Sequence, residues 1–153
     1  MITRDANPDD ALALSALHTR CFERAWDAAS FLNWIESEHH AVILATRGEA
    51  LLGAPVGAII CQTAALDWDI VTVMTDPAAR RKGIAALLLA DLIERAKETN
   101  ASITLDVAAD NIAALSLYED AGFKEAGRRR AYYATNNKRT DALVLKLTVP
   151  NAA

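Results

Sequence analysis

Residues 68–107 read WDIVTVMTDPAARRKGIAALLLADLIERAKETNASITLDV, and their pattern determines how the middle of the chain folds. A run rich in β-branched residues predicts a strand from Trp68 to Thr75, which Asp76-Pro77 ends. Gly83 then opens a stretch whose apolar residues recur at helical spacing. Ser102 to Val107 alternates between apolar and polar side chains, as a strand does. A strand, a helix and a second strand in this order form a crossover unit, whose two strands run parallel.

The segments on either side of this unit predict antiparallel hairpins, so we expect a mixed sheet. In chain order they are a strand over Ile2 to Ala6, a helix from Asn7-Pro8 to about Phe22, a short helix capped by Asp27, strands over Ala41 to Thr46 and Val56 to Gln62 joined by a turn from Arg47 to Pro55, a helix from Asp110 or Asn111 that ends before Gly122, strand pieces over Phe123 to Ala126 and Arg130 to Ala134, a turn over Asn136 to Arg139, and a last strand over Ala142 to Thr148. The fold class is therefore α/β, with a mixed, mostly antiparallel sheet of about seven strands and four helices.

Length and composition favour one globular domain over residues 1–153, since 52% of the side chains are apolar and 24% are charged. The two cysteines, Cys21 and Cys61, are too few and too far apart for a disulfide framework or a Cys-rich zinc site. The first ten residues are too polar for a secretory signal, and no apolar run approaches the roughly 20 residues that span a bilayer. We therefore expect a cytoplasmic protein without a membrane partner.

The net charge of −4 is too mild to identify a partner. Residues 1–70 are acidic and residues 121–153 are basic, but the chain has no global basic surface, so direct binding to nucleic acid is not expected. The acidic first half would suit a basic peptide or an amine substrate, and an ordinary solvated surface would explain it equally well. The sequence does not predict the oligomeric state.

The loop between the first strand and the helix of the crossover unit reads Arg80-Arg81-Lys82-Gly83-Ile84-Ala85. A helix N-terminus offers unpaired N–H groups and a positive dipole end, and Gly83 lets the backbone approach a phosphate closely. The loop lacks both the Gly-Lys-Ser/Thr ending of a P-loop and the three-glycine spacing of a dinucleotide-binding turn. It predicts an anion site, with a solvated basic loop as the alternative.

A second group of polar side chains follows the crossover unit. Asp106 is predicted to project opposite its apolar neighbours near the end of its strand, and Asn111 and Tyr118 to share one face of the next helix. Ligands of open α/β sheets bind outside the carboxyl ends of the strands, which is where these three groups should converge. An edge carboxylate, a helix-capping Asn and a half-buried core Tyr are the structural alternatives.

Taken together, these motifs resemble the GNAT superfamily of acetyl-CoA-dependent N-acetyltransferases, and more closely its RimI-type ribosomal-protein-alanine N-acetyltransferases. The resemblance is carried by Asp76-Pro77-x-x-Arg80-Arg81-x-Gly83-Ile84-Ala85 and by Asn111-x-x-Ala114-x-x-Leu117-Tyr118-x-x-x-Gly122-Phe123. Phe22-x-x-x-Trp26, Asp106-Val107, Arg129-x-x-Tyr132-Tyr133 and the tail from Asp141 to Leu145 add to it. It extends from about Thr3 to Leu147.

The resemblance implies acetyl-CoA as co-substrate. Val73, Met74 and Thr75 would pair with the pantetheine arm like an added strand, and the backbone N–H near Met74 would polarise the thioester oxygen. The pyrophosphate would be held by Arg81, Lys82, Gly83, Ile84, Ala85 and Ala86, of which Ala85 stands where the family frequently has Gly. Asn111 would also contact the cofactor.

The resemblance also assigns the acid and base. Tyr118 matches the family's general acid, and Asp106 matches its general base, which is a Glu there and is one methylene longer. With this shorter side chain, Asp106 would act through a water molecule, or the base would lie elsewhere. Because the amine attacks the thioester directly, Cys21 and Cys61 are interpreted as small apolar residues rather than nucleophiles.

The implied acceptor is the N-terminal α-amine, Ala in the first place, of a small-subunit ribosomal protein. Two alternatives remain. One is a GNAT enzyme that acts on a small amine or another protein. The other is an acyl-CoA-binding sensor without turnover, which is suggested by Asp106 in place of the family's Glu. His18, His39 and His40 lack metal-ligand spacing, so they are interpreted as structural or surface residues and no metal site is expected.

Overall fold

The computed structural model describes residues 1–47, 53–135 and 138–148. Within them the chain forms seven strands and four helices in the predicted order. Their bounds are β1 (Ile2–Asp5), α1 (Ala11–Cys21), α2 (Ala28–Glu36), β2 (His40–Thr46), β3 (Pro55–Gln62), β4 (Asp67–Thr75), α3 (Ile84–Thr99), β5 (Ser102–Ala108), α4 (Ile112–Asp120), β6 (Lys124–Thr135) and β7 (Lys138–Leu147).

Several boundaries differ from the sequence-based expectations. Asn7 caps a turn of 3-10 helix over Pro8–Asp10, and the first α-helix begins only at Ala11. The two strand pieces expected after Gly122 are one strand, β6, which a bulge interrupts, and β7 begins at Lys138 because polar residues of this exposed hairpin also pair. The turn predicted from Arg47 to Pro55 falls largely, and Asn136 with Asn137 wholly, outside the described residues.

The strands form one mixed sheet in the order β1-β2-β3-β4-β5-β7-β6, as expected from the crossover unit. β4 and β5 pair in parallel, and every other neighbouring pair is antiparallel. The parallel pair is short, since only Asp67–Asp69 and Ser102–Thr104 are in register. Beyond these residues the two strands separate, and we call the resulting opening the fork; residues 70–75 of β4 and 105–108 of β5 border it.

A β-bulge accounts for the separation. Ile60 of β3 pairs with Thr72, but the next residue, Cys61, pairs with Ile70, so Val71 is an extra residue in β4. A bulge bends its own strand and increases the local twist. It therefore directs the end of β4 away from β5 and opens the fork.

The helices cover both faces of the sheet, because side chains of each strand alternate between the faces. Leu14 and Leu17 of α1 and Phe31 of α2 pack with Leu44 and Met74 on one face. The residues packed on the opposite face come from β2, β3 and β5 and from α3 and α4, and include Ile43, Ile59, Leu88, Leu92, Leu105 and Tyr118. In the described part of the chain, no helix is long and apolar enough to cross a membrane.

Candidate active site

The fork exposes backbone groups of β4 that no neighbouring strand of the described residues pairs with. The N–H of Asp76 donates to the carbonyl oxygen of Val56 at 2.8 Å. Because the N–H groups of an antiparallel strand point alternately to its two sides, the Met74 N–H faces β3, and those of Val73 and Thr75 face the fork. The fork therefore presents two amides to an extended ligand.

This direction distinguishes the amides near Met74, where the sequence analysis expects the oxyanion donor. The amide of Met74 points away from the fork, and its side chain is buried beneath α1. The candidate oxyanion donor is therefore an amide next to Met74 in sequence, of which Val73 lies deeper in the fork. The Thr75 carbonyl oxygen also faces away from β3, and it accepts a hydrogen bond from the thiol of Cys21 at 3.3 Å.

The N-terminus of α3 lies beside the end of β4. Gly83 takes a left-handed conformation, with φ of 76°, and within the described chain no side chain caps α3. The first helical hydrogen bond runs from the Leu87 N–H to the Gly83 carbonyl, which leaves the N–H groups of Ile84, Ala85 and Ala86 available to an anion. The side chains of Arg81 and Lys82 are exposed at the same end.

A cleft of about 460 Å³ joins this helix start to α4, and we call it the α3–α4 cleft. It is lined by Thr75, Arg80, Arg81, Gly83, Ile84, Ala85, Ala86, Ala113, Ala114 and Leu117. Most of its lining side chains are small, so a ligand can reach the backbone of α3. Asn111 caps α4, and its side-chain oxygen accepts a hydrogen bond from the Ala114 N–H at 3.2 Å. The amide nitrogen of Asn111 is the group left to act as a donor.

Two carboxylates lie where the fork opens. Asp106 points to the sheet face opposite Leu105 and Val107, as its strand pattern predicted, and Arg129 Nε lies 3.7 Å from its Oδ1. Asp69 of β4 is level with Thr104 of β5, two residues before Asp106. Partial burial, followed by the negative charge of Asp106, raises the pKa of Asp69 above its ordinary value.

Two tyrosines connect this carboxylate group to α4. Tyr118 is buried, and its ring packs edge-on against Phe123 with 5.6 Å between ring centroids. Burial first, and then the neighbouring Tyr133, raises the pKa of Tyr118 to about 12. Burial first, and then the charge of Asp106, also raises the pKa of Tyr133. Both phenols are therefore protonated at neutral pH.

A bulge in β6 lies between Arg129, which contacts Asp106, and Tyr133. Arg129 pairs with Ala142 and Tyr133 with Thr140, so three residues of β6 oppose Asp141 alone. The Asp141 carboxylate accepts hydrogen bonds from the Ala131 N–H and from Arg128, both at 2.8 Å. These bonds fix a backbone in which Ala131 has a positive φ of 50°.

On the other side of the fork lies the connection between α1 and α2. Trp26 stacks on His18, with 4.3 Å between ring centroids, and the Trp26 N–H donates to His18 Nδ1 at 3.1 Å. An open cleft of about 450 Å³ separates this connection from the bulge of β4, and we call it the α1–α2 cleft. Its lining residues are His18, Phe22, Glu23, Arg24, Trp26, Val71 and Thr72.

The cysteines and histidines have structural surroundings. Cys61 is fully buried, and burial raises the pKa of its thiol to about 12, which makes it a poor nucleophile. Cys21 is half-buried, and burial raises its thiol pKa as well. His18 is buried among aromatic rings, as a structural residue would be. Among the described residues, no three His, Cys, Asp or Glu side chains are grouped as metal ligands are.

The structure thus brings most of the sequence-predicted residues to one region. The amides of Val73 and Thr75, the start of α3 and Asn111 border the fork and the α3–α4 cleft, while Asp106 lies at the mouth of the fork. Sequence reasoning missed Asp69, although this acidic residue between the buried Trp68 and Ile70 was a visible signal. It also left Arg129 and Tyr133 without a role.

Comparison with known proteins agrees with this geometry. The profile of the acetyltransferase (GNAT) family matches residues 11–123. The chain belongs to the GNAT family. It is 32% identical over 126 residues to the N-alpha-acetyltransferase RimI of Mycobacterium tuberculosis, an alignment that covers 81% of this chain and 78% of that protein.

Two further matches, one in sequence and one in structure, come from Escherichia coli. The chain is 38% identical over 81 residues to the ribosomal protein bS18-alanine N-acetyltransferase, covering 52% of this chain and 55% of that protein. The crystal structure of the ribosomal-protein-S18-alanine N-acetyltransferase superposes with a TM-score of 0.88 at 27% identity, over 99% of this chain and 96% of that one. This GNAT enzyme is therefore an acetyl-CoA-dependent N-acetyltransferase similar to RimI, with acetyl-CoA as its co-substrate.

Proposed function

We propose that this GNAT enzyme transfers the acetyl group of acetyl-CoA to the N-terminal α-amine of a small-subunit ribosomal protein, with Ala as the residue acetylated. The observation that carries the proposal is the fork, where two free amides of β4 lie beside a pair of carboxylates and open toward the α1–α2 cleft. The names of the relatives support an N-terminal amine of a ribosomal protein as the acceptor. Such a substrate would place the enzyme in the cytoplasm.

The cofactor would lie along the fork and the start of α3. Val73 and Thr75 would pair with the pantetheine arm, and the Val73 N–H would polarise the thioester oxygen. Met74 would connect these two residues, and its own N–H, which faces β3, would not contact the cofactor. The N–H groups of residues 84–86 would hold the pyrophosphate, assisted by the charges of Arg81 and Lys82. The Asn111 amide nitrogen would donate to the cofactor from the start of α4.

The chemistry needs one proton acceptor and one proton donor. An α-amine has a pKa of about 7.7–8.0, so a carboxylate can assist its deprotonation near neutral pH. Asp106 has the position of the family's base and lies within the carboxylate group of the fork. The free amine then attacks the thioester, and the departing thiolate takes a proton from Tyr118.

The single sheet of the described residues supports one catalytic domain over residues 1–153.

The test is incubation with labelled acetyl-CoA and a panel of synthetic peptides that reproduce ribosomal protein N-termini. Mass spectrometry should show acetylation at the α-amine of Ala-initiated peptides. The control for each peptide is the same sequence with a blocked N-terminus and a free Lys side chain, which should stay unmodified. Acetylation of polyamines but of no peptide would move the acceptor to small amines. Tight acetyl-CoA binding without turnover on any amine would favour a sensor.

A further inference from the structure

Asp69 and Asp106 lie on the same face of the sheet, the face that also carries α1 and α2. Trp68 and Ile70 are buried against α3 on the opposite face, which turns Asp69 away from them. Asp106 likewise alternates with the buried Leu105 and Val107. Because Asp69 is in register with Thr104, the two carboxylates are diagonal neighbours across the short parallel pair.

Among the described residues, two cations lie near this pair: Arg129, and Lys146 of β7, which is level with Thr104 and whose Nζ lies 3.9 Å from Oδ1 of Asp67. Arg129 of β6 lies 3.7 Å from Asp106 and stacks over the ring of Tyr132 at 5.5 Å, and it is the cation that faces the carboxylates from β6. Burial, followed by the charge of Asp106, raises the pKa of Tyr133 on the same strand. From β5 the neighbour is the Thr104 hydroxyl, which donates to the Trp68 carbonyl at 3.2 Å, and from β3 it is the exposed Gln62, which is in register with Asp69.

The pair therefore carries one negative charge more than its ion pair neutralises. Two carboxylates and one arginine have a net negative charge, which the positive charge of an acceptor ammonium would neutralise. Both carboxylates are solvent-accessible, so an amine can approach them from the α1–α2 cleft. The two groups are not equivalent, because Arg129 contacts Asp106 rather than Asp69.

We propose that Asp69, rather than Asp106, is the base that takes the proton of the acceptor amine, and that Asp106, paired with Arg129, binds the ammonium group beside it. This inference deepens the proposed function and rests on it, in that the acceptor is an amine. The amine gives one proton to Asp69, and its nitrogen then forms a bond with the thioester carbonyl carbon. The C–S bond breaks with its electron pair on sulfur, which takes a proton from Tyr118. The second amine proton restores the Tyr118 phenol, and Asp69 releases its proton to solvent.

The electrostatics of Asp69 agree with this role. Burial first, and then the charge of Asp106, raises its pKa toward that of the amine. A base is most effective when its pKa lies near the operating pH. Neutralising Asp106 would remove one of the two causes and should lower the pKa of Asp69.

The experiment compares Asp69→Asn, Asp106→Asn and the control Asp67→Asn, which removes an exposed carboxylate from the same strand. Turnover of an Ala-initiated peptide is measured with saturating acetyl-CoA. Loss of the base should lower kcat of Asp69→Asn by about 10²–10⁴-fold. Asp106→Asn should mainly raise KM for the peptide, and Asp67→Asn should match wild type. Circular dichroism and acetyl-CoA affinity confirm that each variant is folded.

A second readout does not depend on the acceptor. Carbon-13 NMR of labelled aspartate should show the Asp69 carboxyl titrating above the ordinary Asp range in wild type and at lower pH in Asp106→Asn. Full kcat of Asp69→Asn, or a larger kcat loss in Asp106→Asn, would overturn the assignment. If wild type binds acetyl-CoA but acetylates no peptide, the proposed function fails, and the titration alone decides whether the carboxylates are coupled. Independent titration of the two groups would then reject the pair.

Discussion

Tyr118 combines a buried ring with a phenol that stays protonated. Its pKa of about 12 means that the proton is present across the neutral range, as a general acid requires. The sequence placed Tyr118 on the correct helix, and the alternative of a core tyrosine also agrees with its burial. Burial alone cannot separate the two roles, because the ring packs in the core either way.

Replacing Tyr118 by Phe tests them. The substitution keeps the ring contact with Phe123 and removes only the hydroxyl, so the fold and acetyl-CoA affinity should be retained. If the phenol protonates the thiolate, kcat should fall about 10²–10⁴-fold. Steady-state kinetics with Tyr132→Phe, which removes an exposed hydroxyl nearby, provides the control. Equal kcat for Tyr118→Phe and wild type would make Tyr118 a core residue only.

The orientation of a side chain could be predicted from the sequence where it depends on the pattern of a single strand. The alternation of β5 fixed the face of Asp106 without knowledge of its neighbours. Asp69 was missed because the role proposed for it depends on the register of β4 with β5, and its own strand shows only an acidic residue between apolar ones. The direction of the Met74 amide likewise follows from pairing with β3, which the sequence does not contain.

At the scale of elements, the start of α3 is the part of the site that depends most on backbone conformation. Gly83 has φ of 76°, a region that β-branched residues avoid. An ideal Cβ at Gly83 would meet no atom within 4 Å, so the constraint is the backbone angle and the space left for a ligand. The sequence predicted this helix start because the glycine and the helical spacing coincide.

Gly83→Val should therefore act on the cofactor more than on the core. The new side chain strains the left-handed residue and covers the free N–H groups, so acetyl-CoA affinity should fall at least tenfold. Isothermal calorimetry measures the affinity, and thermal unfolding checks the fold. The matched control is Gly127→Ala, whose added Cβ would meet Val144 at an ordinary 3.8 Å, and it should bind as wild type does. Unchanged affinity in Gly83→Val would remove the pyrophosphate assignment.

Other features of the elements lay beyond sequence reasoning for a physical reason. The bulges of β4 and β6 are defined by two residues or more opposing one on a partner strand, so they exist only in the paired sheet. The opening of the fork depends on the bulge of β4, and the position of Arg129 beside Asp106 depends on the bulge of β6. The topology was predictable because the crossover unit is local, whereas the site depends on non-local register.

At the scale of the whole molecule, the proposed function uses the two faces of the sheet differently. The α3–α4 cleft would border the cofactor side, and α1 and α2 with their connection would border the acceptor side. The acceptor side is held by rings around His18, with Phe31 and Trp34 packed on Trp26. A single buried imidazole thus links the stability of this side to pH.

Burial lowers the pKa of His18 below that of a free histidine, near 6.5. Below pH 6.5 the unfolded chain binds a proton that the folded chain resists, so stability should fall as pH decreases through this window. His18→Asn keeps an acceptor for the Trp26 N–H but does not titrate. At pH 7.5 this variant should be less stable than wild type, because the ring packing is lost. Between pH 7.5 and 5.5 its free energy of unfolding should decrease less than that of wild type. His40, whose pKa burial also lowers, is present in both proteins and cancels in the comparison.

Urea unfolding at the two pH values measures the difference. The carboxylates whose pKa values are lowered, Asp10 and Asp141 among them, lose their contribution only at more acidic pH, so they do not obscure this window. Since His18 supports the α1–α2 cleft, the KM for the peptide should rise between pH 7.5 and 5.5 while acetyl-CoA affinity changes less. If His18→Asn and wild type lose the same free energy of unfolding between pH 7.5 and 5.5, the His18 imidazole does not cause the loss in this pH range. Any effect of pH on the acceptor side would then have to come from the carboxylates of the fork.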